Sequence, residues 1–237
     1  LWPDHGAMRE QMVYPASHCV PLPDGISHEA AALLEPLGVA LHAIRLARIE
    51  VGDDVLVTGC GGIGLLIIRL AQLAGAKRIF ASDHYAWRLR LAQEYGATDT
   101  LQVGAGERGA VVDLVKQITH GRGVDVAIEA AWVKDTGSEC VEAIRFGGSV
   151  VIVGIPVEEE IAFRASPSRR KGATIKFSRR MNHTYPAAIA LADSGQVALD
   201  RLASHRFPLA QAAEAFVHAA DYIEGVVRVI VMPGASP

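Results

Sequence analysis

Short apolar runs alternate with longer amphipathic stretches through the middle of the chain. Between residues 54 and 155 the short runs predict β-strands and the longer stretches predict helices. Strands that alternate with helices are typical of a parallel sheet covered by helices on both faces. The pattern therefore predicts an α/β fold with a doubly wound parallel sheet. The predicted strands are 54–58, 77–82, 99–103, 124–130 and 149–155, and the predicted helices are 62–75, 85–95, 108–119 and 136–146.

The two ends of the chain do not continue this alternation. Ser27 is a candidate N-cap for a short helix, because its hydroxyl can accept from an N–H of the first turn. We expect the ends to form part of a second domain or the far edge of the sheet. The pattern predicts a strand over 10–14, helices over 30–34 and 38–49 interrupted at Pro36, a strand over 174–178, helices over 185–194 and 209–218, and a strand over 225–232.

A glycine-rich turn joins the first strand of the alternation to the helix after it. Gly59, Gly61 and Gly64 fit the pattern G-x-G-x-x-G. The first glycine allows a tight turn, the second lets the backbone approach a pyrophosphate, and the third lets helix and strand pack closely. The helix N-terminus, at Gly62 and Ile63, offers N–H groups and a dipole that favour anions. The turn predicts a dinucleotide-binding site.

The second strand of the alternation ends in an acidic residue, Asp83, 19 residues after Gly64. A carboxylate there can accept hydrogen bonds from a ribose diol and repels a 2′-phosphate, which favours NAD over NADP. The alternative for Asp83 is a helix N-cap. Arg88 could stack on adenine or reach a phosphate, or it could lie on a solvated helix face.

Composition and charge narrow the class of protein. The chain has 237 residues, of which 50% are hydrophobic, and a formal net charge of −3. No basic excess points to nucleic acid, and no apolar run approaches the roughly 18 residues that span a bilayer. Cys19, Cys60 and Cys140 form no CxxC pair, which argues against a disulfide scaffold or a four-cysteine zinc site. We expect a cytoplasmic protein with neither nucleic-acid nor membrane partners.

Several further short motifs extend the pattern along nearly all of the chain. They include Leu34-Glu35-Pro36-Leu37, Gly123–Glu129, Gly147-Gly148 and His205–Leu209. Together with the glycine turn they resemble the zinc-dependent medium-chain dehydrogenases, in particular the sorbitol, xylitol and related polyol dehydrogenases. The resemblance implies a Rossmann NAD-binding domain over 39–177, and remnants of a GroES-like, β-rich catalytic domain over 1–38 and 178–237. It also implies that most zinc ligands lie in a segment preceding Leu1.

The resemblance further assigns roles to individual residues. Glu35 would lie beside the catalytic zinc, bound directly or through water, and Arg180 would face the substrate hydroxyls. The alternatives are an exposed helix-end glutamate and a basic surface cluster. The remaining implied cofactor contacts are the backbone of Val153, Gly154 and Ile155 against the nicotinamide carboxamide, and Ser178 and Arg179 beneath the nicotinamide ring.

These expectations combine into one leading hypothesis. The resemblance implies an NAD-dependent oxidoreductase in which zinc polarises the oxygen of a secondary alcohol or polyol and the cofactor carries the hydride. The alternatives are a truncated or sensor-like dinucleotide-binding protein without turnover, and a zinc-independent reductase of the same superfamily. The resemblance also implies a homodimer or homotetramer, with the strand at 174–178 as the exposed sheet edge.

Overall fold

The computed structural model describes residues 6–104, 107, 109–131, 133–155, 160–221 and 225–234, so the N-terminal Leu1 lies outside the described residues. The chain divides into two compact units. One contains Leu1–Leu34 and Tyr185–Pro237, and the other contains Glu35–Thr184. These boundaries differ by a few residues from the predicted divisions after residues 38 and 177. No described helix combines the length and the apolar character that crossing a membrane requires.

Strands and helices alternate through most of the described chain. The strands are β1 (Asp54–Thr58), β2 (Arg78–Asp83), β3 (Asp99–Gln102), β4 (Val124–Glu129), β5 (Ile144–Ile152), β6 (Thr174–Phe177), β7 (Ala203–Pro208) and β8 (Arg228–Met232). The helices are α1 (His28–Ala32), α2 (Leu34–Ala47), α3 (Gly62–Leu73), α4 (Ala86–Glu94), α5 (Ala110–Ile118), α6 (Thr136–Ala143), α7 (Ala165–Lys171), α8 (Tyr185–Asp193) and α9 (Ala212–Ala220).

The Glu35–Thr184 unit is a six-stranded sheet in the order β3-β2-β1-β4-β5-β6, and all neighbouring strands are parallel. Leu56, Phe80 and Val150 pack on one face with residues of α5 and α6. Val57 lies on the other face, towards Gly64 of α3. Every residue of β1 and β4 is buried, as expected for strands covered on both sides. The predicted doubly wound parallel sheet is confirmed.

Two predicted helix boundaries in this unit are wrong. The helix is not interrupted at Pro36, because α2 begins at Leu34 and a proline in the first turn lacks an N–H that would have no intrahelical acceptor. The helix predicted to reach residue 146 ends at Ala143, and β5 begins at Ile144. The register between β4 and β5 shifts in this stretch, where Gly147 adopts a φ of +71°.

The other unit contains a small parallel pair of strands, β7 and β8, connected through α9. The predicted closing strand is therefore paired with β7, which the sequence pattern missed, and not with the six-stranded sheet. Ser27 caps α1 as predicted, since its Oγ accepts from the Ala30 N–H at 3.0 Å. The strand predicted over 10–14 is not formed, and its apolar residue Val13 is fully exposed.

Candidate functional site

The glycine turn between β1 and α3 is closely packed at two of its glycines and open at the third. Gly59 has a φ of +87°, and a Cβ there would lie 2.8 Å from the carbonyl carbon and oxygen of Ala130. A Cβ at Gly64 would lie 1.8 Å from the Gly59 carbonyl oxygen. At Gly61, by contrast, no described atom beyond the chain neighbours comes within 4 Å of the Cβ position. Gly61 therefore borders open space at the carboxyl end of the sheet.

This open space adjoins the N-terminus of α3. Gly61 is the N-cap, and the first helical residues are Gly62, Ile63 and Gly64. The N–H groups of a first helical turn have no intrahelical acceptor, and together with the helix dipole they favour an anion. Only with Leu65 does an N–H reach back to the Gly61 carbonyl oxygen, at 2.9 Å. The turn has the shape and the polarity of a phosphate cradle.

Asp83, the last residue of β2, is buried, and each of its carboxylate oxygens accepts a hydrogen bond from a backbone N–H group. Its Oδ2 accepts from the Cys60 N–H at 2.8 Å, and its Oδ1 accepts from the Tyr85 N–H at 2.9 Å. The N-cap alternative is wrong, because α4 begins at Ala86 and its N-cap is Tyr85. Asp83 therefore ties the glycine turn to the end of β2. Each carboxylate oxygen retains a second lone pair that a ribose hydroxyl could use.

Arg88 lies beside this carboxylate and close to two aromatic rings. Its Nη1 is 3.8 Å from Asp83 Oδ2, and its guanidinium carbon lies 5.1 Å from the ring centroids of both Tyr85 and Trp87. The side chain is 14% exposed, so it does not lie on a solvated helix face. The structure thus groups Arg88 with Asp83 and the glycine turn.

Cys60, inside the turn, is not a nucleophile. The residue is fully buried, and burial, with a smaller contribution from the Asp83 carboxylate, raises the pKa of its thiol well above the usual range. A thiol that stays protonated is a poor nucleophile. Its Sγ lies 3.6 Å from the Ser82 carbonyl oxygen, as expected for a small side chain filling the space under the turn.

The ends of β4, β5 and β6 form a second group of predicted residues. The N–H groups of Val153 and Gly154 both donate to the Glu129 carbonyl oxygen, at 2.8 and 3.1 Å. The Ser178 N–H donates to the Ile152 carbonyl oxygen at 2.8 Å. Ile155 is exposed. The Ser178 hydroxyl is buried and has no hydrogen-bond partner among the described residues, which makes it an acceptor and donor available to a ligand.

Glu129 is a site residue to which the sequence reasoning assigned no role. Its buried Oε1 accepts from the Ala131 N–H and from the Thr136 hydroxyl, each at 2.8 Å. Together with Gly154 and Lys134 it lines a depression at this edge. The signal was present in the sequence, because β4 ends in an acid as β2 does.

A third group joins α2 to the segment that follows β6. Glu35 is exposed in the first turn of α2. Arg179 and Arg180 are exposed, and Arg180 adopts a φ of +52°. Met181 lies directly against Gly38 of α2. Among the residues that the structure describes, no three His, Cys, Asp or Glu side chains lie close enough to hold a metal ion.

Comparison with known proteins agrees with this arrangement. The zinc-binding dehydrogenase family matches residues 62–194, more than half of the chain. L-Arabinitol 4-dehydrogenase of Aureobasidium melanogenum is 34% identical over 232 residues, covering 96% of this chain and 62% of that protein. Sorbitol dehydrogenase of Gallus gallus is 34% identical over 214 residues, covering 90% and 60%.

A solved structure from Sinorhizobium meliloti 1021, bound to NADP, has a TM-score of 0.80 at 32% identity and covers 90% of this chain and 61% of its own. The chain spans about three-fifths of the length of these proteins. The resemblance that the motifs indicate is confirmed, and the chain belongs to the zinc-binding dehydrogenase family.

Proposed function

We propose that this chain supplies the coenzyme-binding part of an oxidoreductase that transfers a hydride between a secondary alcohol or polyol and NAD, with zinc assistance. The observation that carries the proposal is the open cradle at Gly61, bordered by the α3 N-terminus and held by the Asp83 carboxylate. When bound, the nicotinamide ring would accept or return the hydride. The polyol part of the proposal is supported by the similarity to L-arabinitol and sorbitol dehydrogenases.

The preference for NAD over NADP follows from the charge beside the cradle. Asp83 is buried and accepts from the Cys60 N–H inside the turn, which supports the proposal that an adenosine ribose meets this carboxylate. A 2′-phosphate placed there would meet a like charge at low dielectric, which is unfavourable. One relative binds NADP, so the preference is a property that we propose for this chain from its own Asp83.

The strand ends would receive the nicotinamide half of the cofactor. Because the Val153 and Gly154 N–H groups already donate to Glu129, this backbone would accept from the carboxamide through its carbonyl oxygens. The unpaired Ser178 hydroxyl fits a polar ligand group at the same edge. We assign Ile155 and Arg179 to the rim of this region, since both are exposed.

The zinc part of the proposal is carried by the family and by Glu35. The described residues alone do not form a metal site, so every role assigned here belongs to the chain's own side chains and backbone. Glu35 is an exposed carboxylate on a rigid helix and would orient a metal-bound water or the substrate. Arg180 would donate hydrogen bonds to substrate hydroxyls.

The decisive experiment replaces the open glycine of the cradle. Gly61 has a φ of −72°, and its Cβ position is free of described atoms, so Gly61→Ala should fold normally. The added methyl group would occupy the space proposed for the pyrophosphate. We expect NADH affinity, measured by fluorescence titration, to fall by about tenfold or more, as for loss of close phosphate contacts.

Gly6→Ala is the matched control, because Gly6 is also free of neighbours within 4 Å among the described residues and lies in the other unit. Equal NADH affinity for the wild type and Gly61→Ala would contradict the cradle. Tighter binding of NADPH than NADH by the wild type would contradict the role of Asp83.

The assembly is a further proposal. β6 is an edge strand of the six-stranded sheet, and its last residue, Phe177, is 62% exposed. An edge strand presents unpaired N–H and C=O groups that a second chain can pair with. We propose a homodimer or homotetramer joined at this edge, which light scattering after size-exclusion chromatography would detect.

A further inference from the structure

The segment 178–184, between β6 and α8, adopts an unfavourable backbone. Arg180 and His183 have φ angles of +52° and +49°, in the left-handed region that non-glycine residues rarely adopt. Such conformations cost free energy and persist only where the surrounding structure holds them. Arg180 is the residue proposed to face the substrate, so the contacts that hold this segment also set the position of Arg180.

One contact comes from the middle of α2. The Arg45 guanidinium donates from Nη1 to the carbonyl oxygens of Asn182 and His183, at 3.3 Å each. These bonds connect the segment to the helix on either side of the left-handed His183. They anchor two carbonyl groups of the segment to the helix.

The second contact packs two side chains of the segment against the helix at a glycine. Two turns before Arg45, on the same face of α2, a Cβ on Gly38 would lie 2.7 Å from Met181 Cε and 2.8 Å from Thr184 Oγ1. Thr184 is completely buried. The segment therefore rests directly on the helix backbone. A glycine inside a helix is less favourable than alanine, so close approach is the feature that accounts for it.

We propose that Gly38 is a positioning residue, whose missing side chain lets the 178–184 segment dock on α2 and thereby sets the place of Arg180 relative to Glu35. Glu35 lies one helical turn before Gly38, and Arg180 immediately precedes Met181. The inference rests on the proposed function, because that function gives both residues a role toward one alcohol substrate. It adds a contact that holds the segment bearing Arg180 against the helix that bears Glu35.

The test is Gly38→Ala with Gly137→Ala as the matched control. Both change a helical glycine to alanine, but a Cβ on Gly137 would make only ordinary contacts, 3.4 Å or longer. The backbone ¹³C chemical shifts of Arg180 and His183, which depend on φ and ψ, should move in Gly38→Ala as these two residues leave the left-handed region. The chemical shifts of the β1–α3 turn and the NADH affinity should match the wild type in both variants.

A second variant keeps the proposal falsifiable. Gly38→Ala with Met181→Ala removes the Sδ and Cε atoms that the new methyl group meets but leaves Thr184 Oγ1 at 2.8 Å, so the chemical shifts of Arg180 and His183 should return part of the way to the wild-type values. Unchanged chemical shifts at Arg180 and His183 in Gly38→Ala, or changes spread evenly over the whole chain, would overturn the docking role.

Turnover separates this inference from the function on which it rests. In a zinc-loaded protein that also contains the segment proposed to precede Leu1, with sorbitol and NAD, Gly38→Ala should lower kcat by about tenfold while the NADH dissociation constant stays unchanged, as for a misplaced contact to the reacting group. A wild-type chain that binds no NADH would overturn the proposed function, while the chemical shifts would still decide whether Gly38 docks the segment. A loss confined to NADH affinity would overturn the positioning role.

Discussion

The two ends of the six-stranded sheet use charged residues in opposite ways. At the amino end, Arg78 donates to both oxygens of Asp54 at 2.7 and 2.5 Å. Arg122 donates to both oxygens of Asp125, at 3.0 and 2.5 Å, and Arg145 donates to one of them at 2.6 Å. Both carboxylates are buried. The two buried carboxylates at this end are therefore paired with guanidinium groups of the protein itself.

At the carboxyl end, the buried carboxylate of Asp83 accepts from two backbone N–H groups, and that of Glu129 accepts from the Ala131 N–H and the Thr136 hydroxyl. The Arg88 Nη1 atom is 3.8 Å from Asp83, farther than the guanidinium contacts at the amino end. The same end contains the open Gly61 and the unpaired Ser178 hydroxyl. The comparison teaches that one end of the sheet is closed by charge pairing, while the other keeps polar groups that a ligand can complete.

The largest predicted effect tests whether the carboxyl end is open throughout. Gly64→Ala should destabilise the fold by about 3 kcal/mol or more, because the added Cβ would lie 1.8 Å from the Gly59 carbonyl oxygen. That oxygen belongs to the backbone, so it cannot move away as the end of a flexible side chain could. Urea unfolding followed by circular dichroism measures this. Gly61→Ala, in the same turn, should leave the midpoint unchanged. Equal stability of the two variants would show that the turn is not divided into packed and open glycines.

The next effect concerns the amino end. Asp125→Asn should destabilise the chain by about 2 kcal/mol. This loss is smaller than that expected on breaking a fully buried ion pair, because Arg122 and Arg145 are 49% and 38% exposed and water screens their charges. NADH affinity should not change, since the substitution is at the opposite end of the sheet. Glu94→Gln, an exposed carboxylate on α4, is the control in the same unfolding assay. A fall in NADH affinity with unchanged stability would mean that Asp125 serves cofactor binding and that the amino end of the sheet is not closed by charge pairing.

The stabilisation by Asp125 should also depend on pH. Burial alone would raise the pKa of Asp125, but hydrogen bonds from Arg122 and Arg145 and from the Asp54 N–H outweigh it and hold the pKa well below 3.8. A depressed pKa gives stability that is present above the unfolded-state value and is lost as the pH falls toward the folded-state value. The difference between wild type and Asp125→Asn should be constant above about pH 5 and shrink below about pH 4.

Much of the sheet and the glycine turn is predictable because their signals are local. The apolar centre of β1, the glycine spacing and the acid that ends β2 all lie within one strand–turn–helix–strand stretch. The elements that were missed have no such signal. β7 contains His205, Arg206 and Pro208, and it is a strand because it pairs with β8 across an intervening helix. α7 is short and rich in basic residues, without an apolar stripe.

The candidate site divides in the same way. The sequence indicates Asp83 as a cofactor residue, but its bond to the Cys60 N–H depends on how β1 and β2 pair. The contact of Gly38 with Met181 joins parts of the chain that are far apart in sequence, and periodicity carries no information about it. The roles of Glu35, Arg180 and the cofactor residues stay predictions, and the variants described above test them.

The smallest predicted effect tests the carboxyl end at a single atom. Ser178→Ala removes a buried hydroxyl that has no partner among the described residues, so stability should rise slightly or stay within about 1 kcal/mol of the wild type. If that hydroxyl forms a hydrogen bond to the cofactor, NADH affinity should fall about fivefold, because one neutral hydrogen bond contributes about 1 kcal/mol of binding free energy. Ser149→Ala, earlier on the neighbouring strand β5 and opposite Thr174, is the matched control. Loss of stability without loss of affinity would mean that the hydroxyl serves the fold, and the carboxyl end would then be less open than the comparison with the amino end implies.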